Sequence, residues 1–130
     1  MTANKMQLPG LLAEIEEAAG RNAALEIAVA HGGLCKEFPT PDLLKKNSKR
    51  YAKHWLVATV GHDLALVIVE AIFPMGGRAE IPAARSVLRR IFIQENAAQM
   101  PVPEIAMFLE LTERGVRRIK SELRREGIIA

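Results

Sequence analysis

Residues 103–123, PEIAMFLELTERGVRRIKSEL, determine the expected fold of the C-terminal part of this 130-residue chain. The stretch reads as a short helix, a break and a second helix, with Ala106 as the small residue at which the two helices touch. Relative to Ala106, apolar residues occupy the five positions where two steeply crossing helices share one small core. The spacing therefore predicts a helix-turn-helix. The five apolar residues are Ile105, Leu109, Leu111, Val116 and Ile119.

The turn between the two predicted helices contains one favourable and one unfavourable residue. Thr112 stands where the second helix begins, and its hydroxyl can accept a hydrogen bond from the free amides of the first turn. Glu110 occupies the turn position that usually holds glycine. A left-handed backbone strains a residue with a side chain by about 1 kcal/mol or more. We therefore expect a turn that is wider than the standard one.

The second predicted helix has a basic outer face. Half of the twelve residues 114–125 are Lys or Arg. Charge runs on helices are usually solvated faces, but these cations lie on the helix that would enter a major groove, and arginine suits bidentate contact with guanine. The pattern favours binding of double-stranded DNA. The predicted DNA-binding residues are Thr112, Glu113, Arg114, Arg117, Arg118, Lys120, Arg124 and Arg125.

Different positions on this helix are expected to have different roles. Arg114 and Arg117 are three residues apart near its start, the end that reads base edges in the groove. Lys120 and Arg125 lie further along and are expected to meet phosphate. Glu113 either accepts a hydrogen bond from a cytosine amino group or pairs with Arg117 one turn away.

Composition and charge distribution limit the class of protein. About half of the residues are apolar (49%) and a quarter are charged (25%), which is typical of a globular chain. The length fits one domain, or one domain with a small appendage. The net charge of +3 is modest, but residues 36–53 and 111–125 each hold six Lys or Arg against two acids. Two basic regions on a balanced background favour a polyanionic partner.

The sequence also predicts a cytoplasmic protein, associated with the nucleoid through DNA and without a membrane partner. The single cysteine excludes an internal disulfide and fits a reducing compartment. The longest nearly uncharged run, LALVIVEAIFPM (64–75), is well short of the roughly 20 residues of a membrane span. No signal-peptide pattern is visible at the N-terminus.

Two segments of the N-terminal half are similar to each other, residues 20–39 and 61–82. Each contains a glycine, a residue able to cap a helix (Asn22 or Asp63), an apolar helix, Gly-Gly and an extended stretch stopped by proline. We interpret them as an internal repeat, and chance similarity of two helix-turn segments is the alternative. The pattern predicts short β stubs after the two Gly-Gly turns.

Apolar spacing predicts further helices in the N-terminal half. Residues 8–20 place Leu11, Leu12, Ile15 and Ala19 on one face. Residues 40–60 are expected to be helical over most of their length, with Tyr51 and Trp55 on one face that anchors the helix to the core. Stacking of these rings on single-stranded nucleic acid is the less favoured alternative. The lysines of the stretch KKNSKRYAKHW (45–55) are either solvated or in contact with flanking phosphate.

The helix expected over residues 64–73 has only Glu70 as a charge. A helix that is apolar almost all round must be covered on every side, and a 130-residue monomer can hardly do so. The pattern therefore predicts a homodimer. Residues 85–99 predict a linker helix with Val87, Leu88, Ile91 and Phe92 facing inward and Arg85, Arg89 and Arg90 facing outward.

The expected architecture is mainly α and has two parts. Residues 1–82 form a helical dimerisation region with the short β stubs, and residues 83–130 form the linker helix plus the helix-turn-helix DNA-binding domain.

The sequence resembles the Mor/C family of phage transcription activators, most clearly over residues 66–125. The motifs that carry the resemblance are ALVIVEAIFPMGGRAEIP, RSVLRRIFIQENA and VPEIAMFLELTERGVRRIKSELRR. The resemblance implies a dimer of intertwined N-terminal helices that reads an inverted repeat near a promoter, contacts RNA polymerase and activates phage or prophage genes. It also suggests backbone contacts from Arg78, Arg85 and Arg89. Glu80 and Ala83-Ala84 depart from the family pattern, and Glu80 would repel phosphate.

Other functions are less well supported by the sequence. The three histidines and the single cysteine form no nucleophile-base pair at a recognisable spacing, so no enzyme activity and no cofactor are expected. His31 and Cys35 are too few for a closed zinc site, so no metal is expected. The alternative function is a phage DNA-packaging or assembly subunit that uses a helix-turn-helix in a higher oligomer. The residues alone do not separate activation from repression or give the operator.

Overall fold

The computed structural model describes residues 6–130 and divides the chain into two compact units. The N-terminal unit is Leu8–Ala84, and the C-terminal unit is Arg85–Ala130 together with Met6 and Gln7. Helices dominate both units, and the only strands among the described residues form one two-stranded sheet. The predicted mainly α class with short β stubs is therefore confirmed.

The N-terminal unit contains five helices and both strands among its residues. In order these are α1 (Leu11–Ala19), α2 (Arg21–His31), β1 (Cys35–Phe38), α3 (Pro41–Lys46), α4 (Trp55–Val60), α5 (His62–Ile72) and β2 (Gly77–Glu80). Helices α1 and α4 each pack against both α2 and α5, and α3 packs on α5. The resulting core includes the fully buried side chains of Leu12, Ile15, Ile27, Leu44, Leu56, Ile68 and Ile81.

Helices α2 and α5 begin in the same way. Each has eleven residues and starts after a glycine in a positive-φ conformation, with φ 97° and ψ 162° at Gly20 and φ 90° and ψ 162° at Gly61. Glycine adopts this backbone without a steric penalty. Asn22 and Asp63 lie within the helices, and neither helix has a side-chain capping bond. The predicted capping by these two residues is wrong because the glycines occupy the N-cap position.

The two β stubs pair with each other within the chain. Strands β1 and β2 are antiparallel, with Cys35 opposite Glu80 and Phe38 opposite Gly77. Beyond the ladder, the amide of Ile81 donates to the carbonyl oxygen of Leu34 at 2.8 Å. The sheet therefore joins the segments that follow α2 and α5, so both predicted repeats have the same order of helix, glycine turn and strand.

Residues 40–60 do not form one long helix, so that prediction is wrong. Helix α3 ends at Lys46, turns follow, and α4 begins at Trp55. The Trp55 indole NH donates to the carbonyl oxygen of Glu37 at 2.7 Å, and its ring forms a T-shaped pair with Phe38, with ring centroids 5.1 Å apart. These tertiary contacts override helical propensity. Trp55 thus anchors the segment as expected, but Tyr51 lies in the turns and shares no helical face with it.

The C-terminal unit consists of α6 (Arg85–Asn96), α7 (Val102–Leu109) and α8 (Glu113–Arg125). Its core is formed by Ile93, Ile105, Ala106, Val116 and Leu123, against which Met6 also packs. The inward face predicted for α6 is only partly right. Ile91 is buried and Phe92 is half-buried, but the fully buried Ile93 was not among the predicted residues.

Arg90 of α6 does not point away from the core, contrary to the prediction. Its guanidinium makes ion pairs with Glu122 at 3.2 Å and with Glu126 at 2.7 Å. Arg90 and Ile93 are three residues apart and so share a face of α6. Because Ile93 packs into the core shared with α8, Arg90 is brought to the acidic side chains at the end of α8.

Candidate nucleic-acid interface

Helices α7 and α8 are joined by the three residues 110–112. Glu110 is left-handed, with φ 55° and ψ 43°. Its amide donates to the carbonyl oxygen of Met107 at 3.3 Å, and the amide of Leu111 donates to that of Ala106 at 2.9 Å. This is the Schellman pattern of a helix end. The expectation of a wider turn is therefore wrong, because these bonds and the packing of Leu111 on the core offset the strain at Glu110.

The packing between α7 and α8 follows the spacing predicted from residues 103–123. Ile105, Ala106 and Val116 are buried in one cluster. Leu109, Leu111 and Ile119 are partly buried and pack against that cluster. All six residues pack in this one cluster as predicted, but the burial is complete only for the first three, and Ile119, which was expected to be buried, remains partly exposed. This packing fixes which face of α8 is turned to solvent.

Thr112 caps α8 as predicted. Its Oγ1 accepts a hydrogen bond from the amide of Gly115 at 2.9 Å. This bond satisfies one of the free amides of the first turn. The cap fixes the residue at which α8 begins, and it therefore fixes the positions of the arginines in the first two turns.

The start of α8 presents three arginines to solvent. Arg114, Arg117 and Arg118 are exposed, and 75% of the Arg118 side chain is accessible. Arg117 is paired with Glu113 at 3.1 Å, one of the two roles predicted for that glutamate. Glu122 lies 4.0 Å from Arg118. Within residues 6–130, no carboxylate pairs with Arg114, so its guanidinium has its donors available for a ligand.

The cations nearer the C-terminal end of α8 are less uniform. Lys120 is half-buried, whereas Arg124 and Arg125 are exposed. The Nε of Arg124 donates to the carbonyl oxygen of Ala130 at 3.1 Å. Arg124 and Arg125 also lie in the last turn of α8, where positive charge is favourable to the helix dipole. Part of the positive charge at this end of α8 is therefore explained by stabilisation of the helix itself.

The three arginines suggested as linker or backbone contacts are in different environments. Arg78 lies on β2 in the N-terminal unit, where it is exposed and pairs with Glu37 at 3.5 Å. Arg85 is the exposed first residue of α6, and Arg89 is half-buried one turn later. Arg85 and Arg89 therefore belong to the same unit as α8, and Arg78 does not.

Two features of the C-terminal unit were missed by sequence reasoning. One is the pairing of Arg90 with Glu122 and Glu126, which fastens α6 to α8. The i, i+4 spacing of the two glutamates was its only signal. The other is the exposed apolar surface of α7, where Met107 is 83% exposed and Phe108 stacks on Phe92 with ring centroids 4.6 Å apart.

The histidines are engaged in hydrogen bonds of the N-terminal unit. His31 Nε2 lies 2.9 Å from Thr59 Oγ1, His54 Nδ1 accepts from the amide of Leu56 at 3.2 Å, and His62 Nε2 lies 3.2 Å from the carbonyl oxygen of Leu44. Burial lowers the pKa of both His31 and His54 from the ordinary value of 6.5. These side chains therefore have a local structural role.

No three His, Cys, Asp or Glu side chains of residues 6–130 are grouped as a metal site requires. No helix of this part is both long enough and apolar enough to cross a membrane. The exposed start of α8 is the strongest candidate interface in the described residues.

Comparison of the chain with protein-family models, with curated proteins and with solved structures found no match. Function is therefore inferred from the residues and their geometry.

Proposed function

We propose that this chain is a sequence-specific, DNA-binding regulator of transcription that acts as a homodimer, with α7 and α8 as its helix-turn-helix. One observation carries the proposal. Helix α8 is held from one side by the buried Val116 and Leu123, and its other side presents Arg114, Arg117 and Arg118 to solvent in the first two turns. A capped, rigidly packed helix with exposed arginines near its start matches the part of a helix-turn-helix that enters the major groove.

The chemistry of these side chains favours base recognition over a simple charge effect. Arg114 and Arg117 are three residues apart and so adjacent on α8. An arginine can donate two hydrogen bonds to one guanine, and such a pair contributes about 1–3 kcal/mol of discrimination against the wrong base. When Arg117 contacts DNA, its ion pair with Glu113 would break. The Glu113 carboxylate would then be available to accept a hydrogen bond from a cytosine amino group. Lys120 and Arg125 are assigned to phosphate.

The N-terminal unit supports self-association because it leaves apolar side chains uncovered. Leu64 and Val67 of α5 are 38% and 41% exposed, although the opposite side of α5 is fully buried. On α2, Val29 is 73% exposed beside a cleft lined by Leu25 and Ala58. A second copy that covers such surfaces relieves the cost of exposing them. A two-fold dimer also predicts an inverted repeat with half-sites about 10 base pairs, or a small multiple of that, apart.

The regulatory outcome rests on the resemblance to the Mor/C family of phage transcription activators. On that ground we assign activation of phage or prophage genes, contact with RNA polymerase near the promoter, and residence on the nucleoid. The residues that carry the resemblance include the Gly-Gly turn, β2 and the Ile81-Pro82 pair that follows it.

The test is selection of duplexes from a random pool by the full-length protein. We expect recovery of an inverted repeat. Arg114→Ala and Arg117→Ala should each weaken binding to it by about 1–3 kcal/mol per half-site and relax the preference at one base pair. Arg114→Lys is the matched control: it keeps the positive charge and removes the bidentate guanidinium, so it should lose the preference at the same base pair and retain affinity for unrelated duplex.

Two results would overturn the proposal. The first is recovery of no repeated motif together with affinity unchanged by Arg114→Ala and Arg117→Ala. The second is sedimentation of the protein as a ring of many subunits instead of a dimer, which would favour a DNA-packaging or assembly subunit.

A further inference from the structure

The second concentration of positive charge lies in the N-terminal unit. We call residues 45–53, KKNSKRYAK, the basic segment. It begins in the last turn of α3 and continues through the turns that lead to α4. Five of its nine residues are Lys or Arg, none is acidic, and all five cations are exposed. The cations are Lys45, Lys46, Lys49, Arg50 and Lys53.

The backbone of the basic segment is held in a defined conformation. The amides of Asn47, Tyr51 and His54 donate to carbonyl oxygens three or four residues earlier, each at 3.0 Å. The segment is flanked by Leu44 and Leu56, both fully buried in the core of the N-terminal unit. Its cations are therefore presented from a preorganised backbone, which reduces the entropy lost when they bind a partner.

The charges of the basic segment are not balanced within the described part of the chain. Lys45 pairs with Glu70 at 3.6 Å, and Lys45 and Lys46 also complement the C-terminal end of α3. Lys49, Arg50 and Lys53 have neither a carboxylate partner in residues 6–130 nor a helix end to complement. Cations that are held close together without partners are typical of a surface that binds a polyanion.

The surroundings indicate which polyanion fits. A membrane surface needs several apolar side chains available for insertion, but Leu44 and Leu56 are buried, and Leu43, at 42%, is the only exposed large apolar side chain of residues 43–56. Single-stranded nucleic acid needs exposed rings on which bases stack. Here the Trp55 indole is bonded to the Glu37 carbonyl, and Tyr51 is half-buried beside His54. What remains is contact by charge alone, which is how proteins bind the backbone of duplex DNA.

We propose that the basic segment binds the phosphate backbone of duplex DNA through Lys49, Arg50 and Lys53, independently of base sequence. This inference rests on the proposed function, since α8 supplies the sequence preference and the basic segment adds affinity. Phosphate contacts of this kind hold a protein on the duplex without carrying sequence information.

The experiment compares the full-length protein with the variant Lys49→Gln/Arg50→Gln/Lys53→Gln on the selected duplex and on a scrambled duplex over a range of salt concentrations. We expect the affinity for both duplexes to fall by the same factor. The slope of log K against log salt should flatten by about 0.9 for each phosphate that is no longer neutralised, and thus by roughly 2.7 per protomer, or about 5.4 for a dimer in which both protomers contact the duplex. Thermal unfolding should be unchanged because the three side chains are exposed.

Lys45→Gln is the matched control for the single substitutions Lys49→Gln and Lys53→Gln. It removes the same charge from the same segment, but its ammonium group is already paired with Glu70. We therefore expect a smaller loss of affinity from Lys45→Gln than from either of the other two. Equal effects would show that only the net charge of the protein matters, and would overturn the site.

The outcomes separate this inference from the proposed function. If the triple variant binds like the wild type while Arg114→Ala relaxes the preference at one base pair, the basic segment is only a solvated surface and the function stands. If the triple variant loses affinity and no preferred sequence exists, the segment binds phosphate and the proposed sequence-specific function fails. A wild-type protein that binds no duplex at all overturns both.

Discussion

Helix α8 and the basic segment are both rich in cations but differ in how they hold them. On α8 the regular backbone spaces Arg114, Arg117 and Arg118 at fixed angles, and two of the three lie near glutamates of the same helix. In the basic segment Lys49, Arg50 and Lys53 lie in irregular turns after α3 and have no carboxylate partner among the described residues. Side chains at a fixed spacing can align with base edges, whereas cations in an irregular cluster supply only charge. The difference explains why we assign base reading to one and backbone contact to the other.

The two regions are also supported by different cores and different caps. Val116 and Leu123 hold α8 in the C-terminal unit, whereas Leu44 and Leu56 flank the basic segment in the N-terminal unit. Thr112 caps α8 with a hydroxyl, and His54 caps α4, directly after the basic segment, with an imidazole. Only the second cap changes its charge between pH 5 and 8. Substitutions can therefore disturb one region and leave the other in place.

The largest expected effect comes from Val116→Asp. Val116 is fully buried between α7 and α8, so an aspartate there would bury an unpaired charge and cost about 4 kcal/mol or more. We expect the C-terminal unit to unfold while the N-terminal unit, with the basic segment, remains folded and retains the proposed dimer contact. Circular dichroism and amide hydrogen exchange measure the first effect, and sedimentation measures the second.

Ser121→Asp is the matched control for this substitution. It introduces the same side chain on the exposed side of α8 and should change the free energy of unfolding by no more than about 0.5 kcal/mol. If Val116→Asp leaves helicity and DNA affinity intact, the assignment of faces on α8 is wrong. If it unfolds the whole chain, the two regions are not independently supported.

Arg90→Met should have the next largest effect. The methionine keeps an apolar stem and removes the ion pairs with Glu122 and Glu126, whose carboxylates are partly exposed. We expect the C-terminal unit to lose about 1–2 kcal/mol of stability in urea unfolding. Arg89→Met is the control, since Arg89 has no carboxylate partner in the described residues, and it should cost less than about 0.5 kcal/mol. An equal loss of stability in Arg90→Met and Arg89→Met would show that the ion pairs of Arg90 do not stabilise the unit.

The packing of α7 and α8 could be predicted from sequence because its determinants are local. Ala106, Val116 and the cap Thr112 lie within a few turns of one another, and each position follows from the geometry of two joined helices. The exception is Glu110, which adopts the left-handed conformation although the sequence predicted a wider turn. Sequence alone did not show that two backbone hydrogen bonds and the packing of Leu111 hold that turn in place.

Features that depend on distant residues could not be predicted. The bond from the Trp55 indole to Glu37 joins residues 18 positions apart and replaces the expected continuous helix. The pair between Arg90 and Glu122 spans 32 positions. The positions of the charged residues in the candidate interface could therefore be predicted from the sequence, but the residues that form ion pairs with them could not. Arg117 is the exception because Glu113 is one turn away.

Thr112→Ala should have a moderate effect on α8. Loss of the hydroxyl that accepts from the Gly115 amide removes the N-cap bond and should cost about 1 kcal/mol. The first turn, which carries Arg114, should exchange its amide hydrogens faster, and DNA affinity should fall with it. Thr112→Ser keeps the cap and should restore both. If serine fails to do so, the threonine acts through its methyl group and not through capping.

The smallest expected effect is a pH dependence in the N-terminal unit, next to the basic segment. In the neutral form of His54, Nδ1 accepts from the Leu56 amide, so the ring proton is on Nε2. Burial lowers the pKa of His54 below its ordinary value of 6.5; Glu37 opposes that shift and Lys36 adds to it. Protonation would turn the acceptor into a donor and place a positive charge at the start of α4, where the helix dipole disfavours it.

The sign of this effect follows from linkage. Since the pKa is lower in the folded state, the stabilising contribution is complete above pH 6.5 and is lost as the pH falls through the folded-state pKa. His31, whose pKa burial also lowers, contributes in the same direction.

His54→Asn keeps a capping side chain that does not titrate. Urea unfolding of this variant from pH 7.5 to about pH 5 should therefore show a weaker pH dependence than the wild type. Thr112→Asn, the same replacement at the non-titrating cap of α8, should leave the pH dependence unchanged. Identical slopes for the wild type and His54→Asn would show that the His54 cap does not distinguish the two regions.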